Sequence, residues 1–193
     1  MESAIRAATG ADLERMGALL TVAFAADPFV RWILPDPHIF TQSNYDYARL
    51  NAEPGFAQGA SHIIGDGWGM AIWQPPGIAP DPMALEANMR THFAPDRIAG
   101  FQALMAACEP YHLHESHWHL SLIAVDPAHR GRGLGARLLE HGLAACDRDG
   151  LPVYLESTNA RNLTVYQRHG FELLAEVRID GSPCRYPMRR PAR

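Results

Sequence analysis

Apolar positions along this chain follow two periods, and the change from one to the other predicts its elements. Leu13, Met16, Leu19, Leu20 and Phe24 recur at helical spacing, and Thr9 stands three residues ahead of Asp12 as an N-cap pair. A first helix is therefore expected from about Ala11 to Ala25, after a short strand over Ile5 to Ala8. Pro28, Pro35 and Pro37 break the chain around FVRWIL, and a polar, aromatic helix is expected over Ile39 to Asn51. SHIIGDGWGMAIWQPPG reads as a hairpin turning at Asp66-Gly67 and ended by Pro75-Pro76. Met83 to Cys108 is helical in character with an interruption at Pro95, and an irregular, histidine-rich loop starts at Glu109-Pro110.

From Trp118 onward strands and helices alternate. WHLSLIAV, LGARLLEHGLAACDRDG, VYLES, LTVYQRHG, FELLAEVRI and CRYPMR read as strand, helix, strand, short helix, strand and strand, with the last turn at Asp180-Gly181. Alternation implies a parallel crossover, and the final pair implies an antiparallel return. The fold class is α/β with a mixed sheet.

Composition narrows the class. A chain of 193 residues with 47% hydrophobic residues is expected to form a single domain. The start of the chain lacks a basic, apolar leader, and no stretch approaches the roughly 18 apolar residues of a membrane span, so a cytoplasmic protein without a membrane partner is expected. A net charge of −4 argues against a nucleic-acid surface. Three cysteines without a CxxC pair suggest buried free thiols. Five of the ten histidines fall between His112 and His129, but no H-E-x-x-H or cysteine partner accompanies them, so no metal is expected.

The chemistry concentrates in HRGRGLGARLL, residues 129 to 139. This loop leaves an apolar strand and enters a helix, so backbone N–H groups of Arg132 to Ala136 sit at a helix N-terminus, where open donors and the macrodipole favour an anion. Arg130 and Arg132 add positive charge. A Walker A loop is excluded because Leu134-Gly135-Ala136 replaces Gly-Lys-Ser/Thr. A dinucleotide fold is excluded because Gly131, Gly133 and Gly135 are spaced GxGxG with 58 residues remaining.

The order V-D-P-x-x-R-G-x-G-L-G, helix, strand, then N-x-x-N-x-x-x-Y-x-x-x-G-F resembles the GNAT superfamily of acyl-CoA-dependent N-acetyltransferases. YLESTNARNLTVYQRHGF, with AFAADP, AIW and CRYPMRR, is similar to its puromycin N-acetyltransferase-like subgroup. The resemblance implies a twisted mixed sheet of six to seven strands flanked by helices. Acceptor-binding elements would lie in residues 1–117 and an acetyl-CoA-binding core in 118–193. It further implies that acetyl-CoA is the co-substrate, that Arg130, Gly131, Arg132, Gly133, Leu134, Gly135 and Ala136 hold its pyrophosphate, and that Leu122, Ile123, Ala124 and Val125 offer a strand edge to its pantetheine arm. By the same resemblance Asn159 and Asn162 bond the pantetheine amides or cap a helix. Tyr166 is the general acid, or else packs with Leu163 and Phe171.

For the base, alternation puts His117, His119, Ser121 and Ile123 on one face of their strand, with Trp118, Leu120 and Leu122 on the other. His119 is then one candidate. Glu156, which matches a subgroup glutamate and could also bind an ammonium, is the other. The expected reaction is direct acetyl transfer to a primary amine of a small molecule in a ternary complex, by a monomer or homodimer. Acetylation of a protein or peptide amine, and a non-catalytic acyl-CoA-binding module, are the alternatives.

Overall fold

The computed structural model describes residues 4–193, so the first three positions of the expected N-terminal half lie outside the described residues. β1 (Ile5–Ala7) leads through a 3-10 turn at Gly10–Asp12 into α1 (Leu13–Ala23). The Asp12 carboxylate explains the entry: it accepts from the Thr9 N–H at 3.0 Å and from Arg6 at 2.6 and 2.8 Å. The segment expected to be broken by prolines is instead helical. Asp27 accepts from the Phe29 and Val30 N–H groups, both at 3.0 Å, and Pro28 sits where a helix needs no donor, giving α2 (Pro28–Ile33). Asp36 and Pro37 repeat the device to start α3 (Pro37–Ala52).

The hairpin forms as β2 (Ser61–Ile64) and β3 (Gly69–Gln74), and the interrupted helical stretch forms α4 (Pro82–His92) and α5 (Pro95–Cys108). β4 (Trp118–Val125), α6 (Leu134–Asp149) and β5 (Val153–Ser157) make the parallel crossover, followed by α7 (Leu163–Arg168), β6 (Glu172–Leu173) and β7 (Tyr186–Arg190). The strands join in the order β1-β2-β3-β4-β5-β7-β6, and β4–β5 is the one parallel pair among the described residues. The mixed sheet has seven strands and is flanked by helices, within the six to seven strands that the resemblance implies.

One face of the sheet is covered by α6, whose Leu138, Leu139, Leu143 and Cys146 pack on Trp73, Trp118, Leu120 and Leu155. Gly142 allows this approach, because a Cβ there would lie 2.2 Å from the Trp73 indole. The other face is covered by α1 and α3, with Met16, Leu20 and Ala48 on Ile63, Met70 and Ile72. A third cluster gathers Phe29, Ile33, Phe40, Leu104 and Val177 under α2 and α5. No described helix is long and apolar enough to cross a membrane.

Two expectations are corrected. The strand over FELLAEVRI shrinks to Glu172–Leu173 with an isolated bridge between Val177 and Arg185. Leu174 donates to the Pro187 carbonyl at 2.9 Å, but Pro187 has no N–H to return, so the ladder stops there. The simple alternation along β4 also fails. Ile72 pairs with Leu122 and Trp73 with Leu120, which leaves Ser121 as a bulge. Beyond it the faces exchange: Leu122 packs on the α1 and α3 side with Ala124, whereas Ile123 and Val125 pack towards α6.

Candidate active site

β4 and β5 are joined only at Trp118–Val153 and His119–Tyr154. β4 runs on to Val125 with β3 on its other edge, and β5 runs on to Ser157, but the two no longer touch as strands. The edge of β4 from Leu120 to Val125 that faces β5 is therefore without a strand partner, and two cavities open at this fork.

The first cavity, about 720 Å³, runs from the fork to the glycine loop. Asp126 shapes the start of that loop: its carboxylate accepts from the Ala128 N–H at 2.8 Å and its own N–H reaches the Trp68 carbonyl at 2.8 Å. Gly131 and Gly133 have φ of 75° and 73°, in the left-handed region that side chains disfavour. Arg137 donates the first backbone bond into the helix, to the Gly133 carbonyl at 3.1 Å, so the N–H groups of Leu134, Gly135 and Ala136 precede the α6 ladder and remain open. The Arg130 guanidinium is tied to the Ala23 carbonyl at 3.1 Å, across the cavity mouth. Ile123, Ala124, Val125, Arg130, Gly131 and Gly133 to Ala136 all line this cavity, as do Asn159 and Asn162; Leu122 lines the second, and Arg132 lines neither. Asn159 is spent as a cap, accepting from the Arg161 N–H at 3.1 Å, whereas the Asn162 side chain bonds to no described residue.

The second cavity, about 480 Å³, lies on the opposite side of the fork under α2, α3, α4 and α5. Its wall is largely aromatic and aliphatic, and its polar floor is Glu156 with Arg185. Arg185 donates to Glu156 Oε2, and Tyr154 donates its hydroxyl to Oε1 at 2.8 Å. Burial raises the Glu156 pKa, but the Arg185 charge and these two hydrogen bonds outweigh it, and the net position is below the usual carboxylate range. Glu156 is a held anion and a weak base.

Both cavities share Phe24, Ile123, Asn162 and Tyr166. Tyr166 is 7% exposed and meets Phe171 edge-on at 5.9 Å, so the packing role expected for it is real. Its hydroxyl, however, bonds to no described residue, and burial holds its pKa far above the ordinary value, keeping the proton on oxygen. His119 is elsewhere. Its Nδ1 is 3.0 Å from Gln74 Oε1, its ring lies among His112 and Tyr154, and it lines neither cavity. Burial lowers its pKa to about 4. No group of three or more potential metal ligands occurs among the described residues.

Sequence reasoning missed Arg185, Tyr154 and Asp27. Asp27, besides capping α2, accepts from the Thr158 hydroxyl at 2.7 Å and so ties the α1–α2 link to the end of β5 across the fork. An aspartate before proline was the available signal; Arg185 had none.

Residues 86–173 match the family model described as an acetyltransferase (GNAT) domain. A solved structure described as histone acetyltransferase HPA2 and related acetyltransferase, from Corynebacterium glutamicum, is 28% identical, covers 100% of this chain and 98% of its own, and superposes with a TM-score of 0.72. Among curated relatives, an uncharacterized N-acetyltransferase of Schizosaccharomyces pombe is 37% identical over 54 residues, 28% of this chain and 22% of the relative. A peptidyl-lysine N-acetyltransferase of Salmonella typhimurium is 29% identical over 70 residues, 36% of this chain and 47% of the relative. The alignments thus span less than half the length of these curated relatives.

Proposed function

From the premise that this chain carries a GNAT-type acyltransferase domain, we propose that it is an acetyl-CoA-dependent N-acetyltransferase acting on a small primary amine by direct transfer in a ternary complex. The observation that carries this reading is the junction: one tyrosine with an unpartnered hydroxyl lines both the groove of the glycine loop and the acceptor cavity.

The groove fits coenzyme A. Open N–H groups at the start of α6 and the Arg130 charge answer a pyrophosphate, and the unpaired edge of β4 answers the pantetheine amides. Bound there, acetyl-CoA supplies the thioester. The bound ammonium first gives one proton to solvent. The freed lone pair attacks the carbonyl carbon, a C–N bond forms, the C–S bond breaks and Tyr166 gives its proton to the departing sulfur. The second nitrogen proton leaves to solvent, from which Tyr166 is reprotonated. Glu156, held ionised, receives the ammonium form and orients it; it does not take the proton. His119 supports the sheet through Gln74.

No thiol competes as an acyl carrier. Cys108, Cys146 and Cys184 are buried and line neither cavity, and burial pushes Cys108 up to about 11 and Cys146 up to about 12. The resemblance of residues 154–171 to the puromycin N-acetyltransferase-like subgroup also supports a small amine acceptor, as does an acceptor space walled by apolar side chains. Free-thiol release from acetyl-CoA tests the proposal: release that requires an added amine supports it, and release unaffected by any amine removes it.

A further inference from the structure

The glycine-loop groove holds one side chain that acetyl transfer leaves unused. His129 ends the 3-10 turn Pro127–His129, one residue ahead of the stretch 130–136 that the resemblance assigns to the pyrophosphate, and it lines the groove. Its ring is held on two sides. The Trp68 indole lies flat against it, with ring centroids 4.9 Å apart and 11° between the planes. Asp126 spends Oδ1 on the Ala128 N–H and brings Oδ2 to 3.6 Å from His129 Nδ1. That nitrogen is buried and bonds to no described residue, so Nε2 is the edge left for the groove. Because the Trp68 carbonyl accepts the Asp126 N–H at 2.8 Å, the hairpin turn and the loop carry this arrangement together.

The groove is short of cations for its ligand. Arg130 and Arg161 are the arginines that line it, and Asp27 sets a carboxylate among them, tied to the Phe29 and Val30 N–H groups and to Thr158. Coenzyme A carries a pyrophosphate and a ribose phosphate, on the order of four negative charges. On the Trp68 side, the hairpin tip carries Asp66, with Arg15 of α1 donating to its carbonyl at 2.7 Å. A proton added to His129 would therefore give the phosphates an N–H donor at Nε2, while the positive charge meets the Asp126 carboxylate and the indole face.

Resting on the acetyl-CoA groove described above, we propose that His129 is a phosphate-binding residue of the donor site that takes up a proton when acetyl-CoA binds, so that donor affinity rises as the pH falls through the imidazole range. The sign follows from linkage. The complex holds more protons than the free protein, so the gain is complete at low pH and is lost as the pH rises through the titration of the complex.

The test is calorimetry of acetyl-CoA binding from pH 6 to 8.5, each pH in two buffers of different ionisation heat, which reports the protons taken up. The ligand's ribose phosphate titrates in this range in every arm, so the difference between wild type and His129→Gln is what counts. Relative to that variant, the wild type should take up about half a proton near pH 7 and gain about three- to tenfold in affinity between pH 8.5 and pH 6. His129→Arg, whose planar cation also stacks on an indole, should bind at pH 8.5 about as tightly as the wild type at pH 6. Equal proton uptake in wild type and His129→Gln would assign the proton to another group, such as Asp27, and overturn the proposal. Should His129→Gln lose the loop altogether, His129→Arg still decides, since a pH slope like that of the wild type would overturn it. Proton-linked acetyl-CoA binding without thiol release for any amine would remove acetyl transfer and leave this inference standing, whereas no acetyl-CoA binding at any pH would remove both.

Discussion

The two cavities that meet at Tyr166 are built in different ways. The glycine-loop groove offers backbone groups, the open N–H donors of Leu134 to Ala136 and the unpaired edge of β4, and is lined mainly by two short stretches, 123–139 and 159–166, with residues 22–27 at the end of α1 as its lip. The acceptor cavity is lined from eight helices and strands, α1 to α5, α7, β4 and β5, and its charged floor joins Glu156 to Arg185, 29 positions further along. A backbone site depends on local conformation and tolerates little change in it. A side-chain site can be reshaped one residue at a time without disturbing the other half.

If the halves are separable in this way, variants should sort cleanly. The largest effect is expected at the junction. Tyr166→Phe should lower kcat by roughly 10²- to 10⁴-fold while the calorimetric affinity for acetyl-CoA stays near the wild-type value. Full turnover under chemistry-limited conditions would remove the hydroxyl from the mechanism.

Next is Gly133→Val. No atom lies within 4 Å of a Cβ there, so the damage is conformational: a β-branched residue at φ of 73° distorts the loop. Acetyl-CoA should bind roughly ten- to a hundredfold more weakly, with the amine KM little changed where saturation can be reached. Glu156→Gln should do the reverse, raising the amine KM about tenfold or more and sparing acetyl-CoA affinity. Because Arg185 holds the Glu156 pKa low, no acid limb belonging to this carboxylate should be seen above about pH 5. An acid limb near neutrality that vanishes in Glu156→Gln would make it the base.

Smaller effects fall on the fork. Thr158→Val removes the hydroxyl that Asp27 accepts, and a loss of about 2 kcal/mol in unfolding free energy is expected by denaturant titration. Acid should weaken the fold through His62 and His119, whose folded pKa values burial lowers from 6.5 to about 4. The unfolded chain binds those protons first, so stability is complete above about pH 6.5 and declines as the pH falls towards about 4. His119→Gln should flatten part of that decline in a melting series.

The same contrast explains what the sequence disclosed. The strand, loop and helix around Gly131 to Gly135 could be read because their constraints are local: glycine spacing, a capping aspartate and apolar periodicity. α2 was hidden because Pro28 reads as a breaker, although with Asp27 ahead of it the same proline starts a helix. The bulge at Ser121 left no mark in the alternation of WHLSLIAV, so the faces of Leu122 and Ile123 were exchanged. Arg185 was invisible because its role rests on Phe29 and Glu156, partners set by tertiary packing alone.

The central claim is that acetyl passes directly from the groove to the cavity across the Tyr166 junction. Incubating the protein with acetyl-labelled coenzyme A, first without and then with an amine that supports thiol release, and weighing the intact protein by mass spectrometry, tests it most directly. Direct transfer predicts an unmodified protein mass throughout, with thiol and labelled N-acetyl product appearing together only after the amine is added. A protein acetylated in stoichiometric amount before the amine arrives, and discharged by it, would contradict the claim and require an acyl-enzyme.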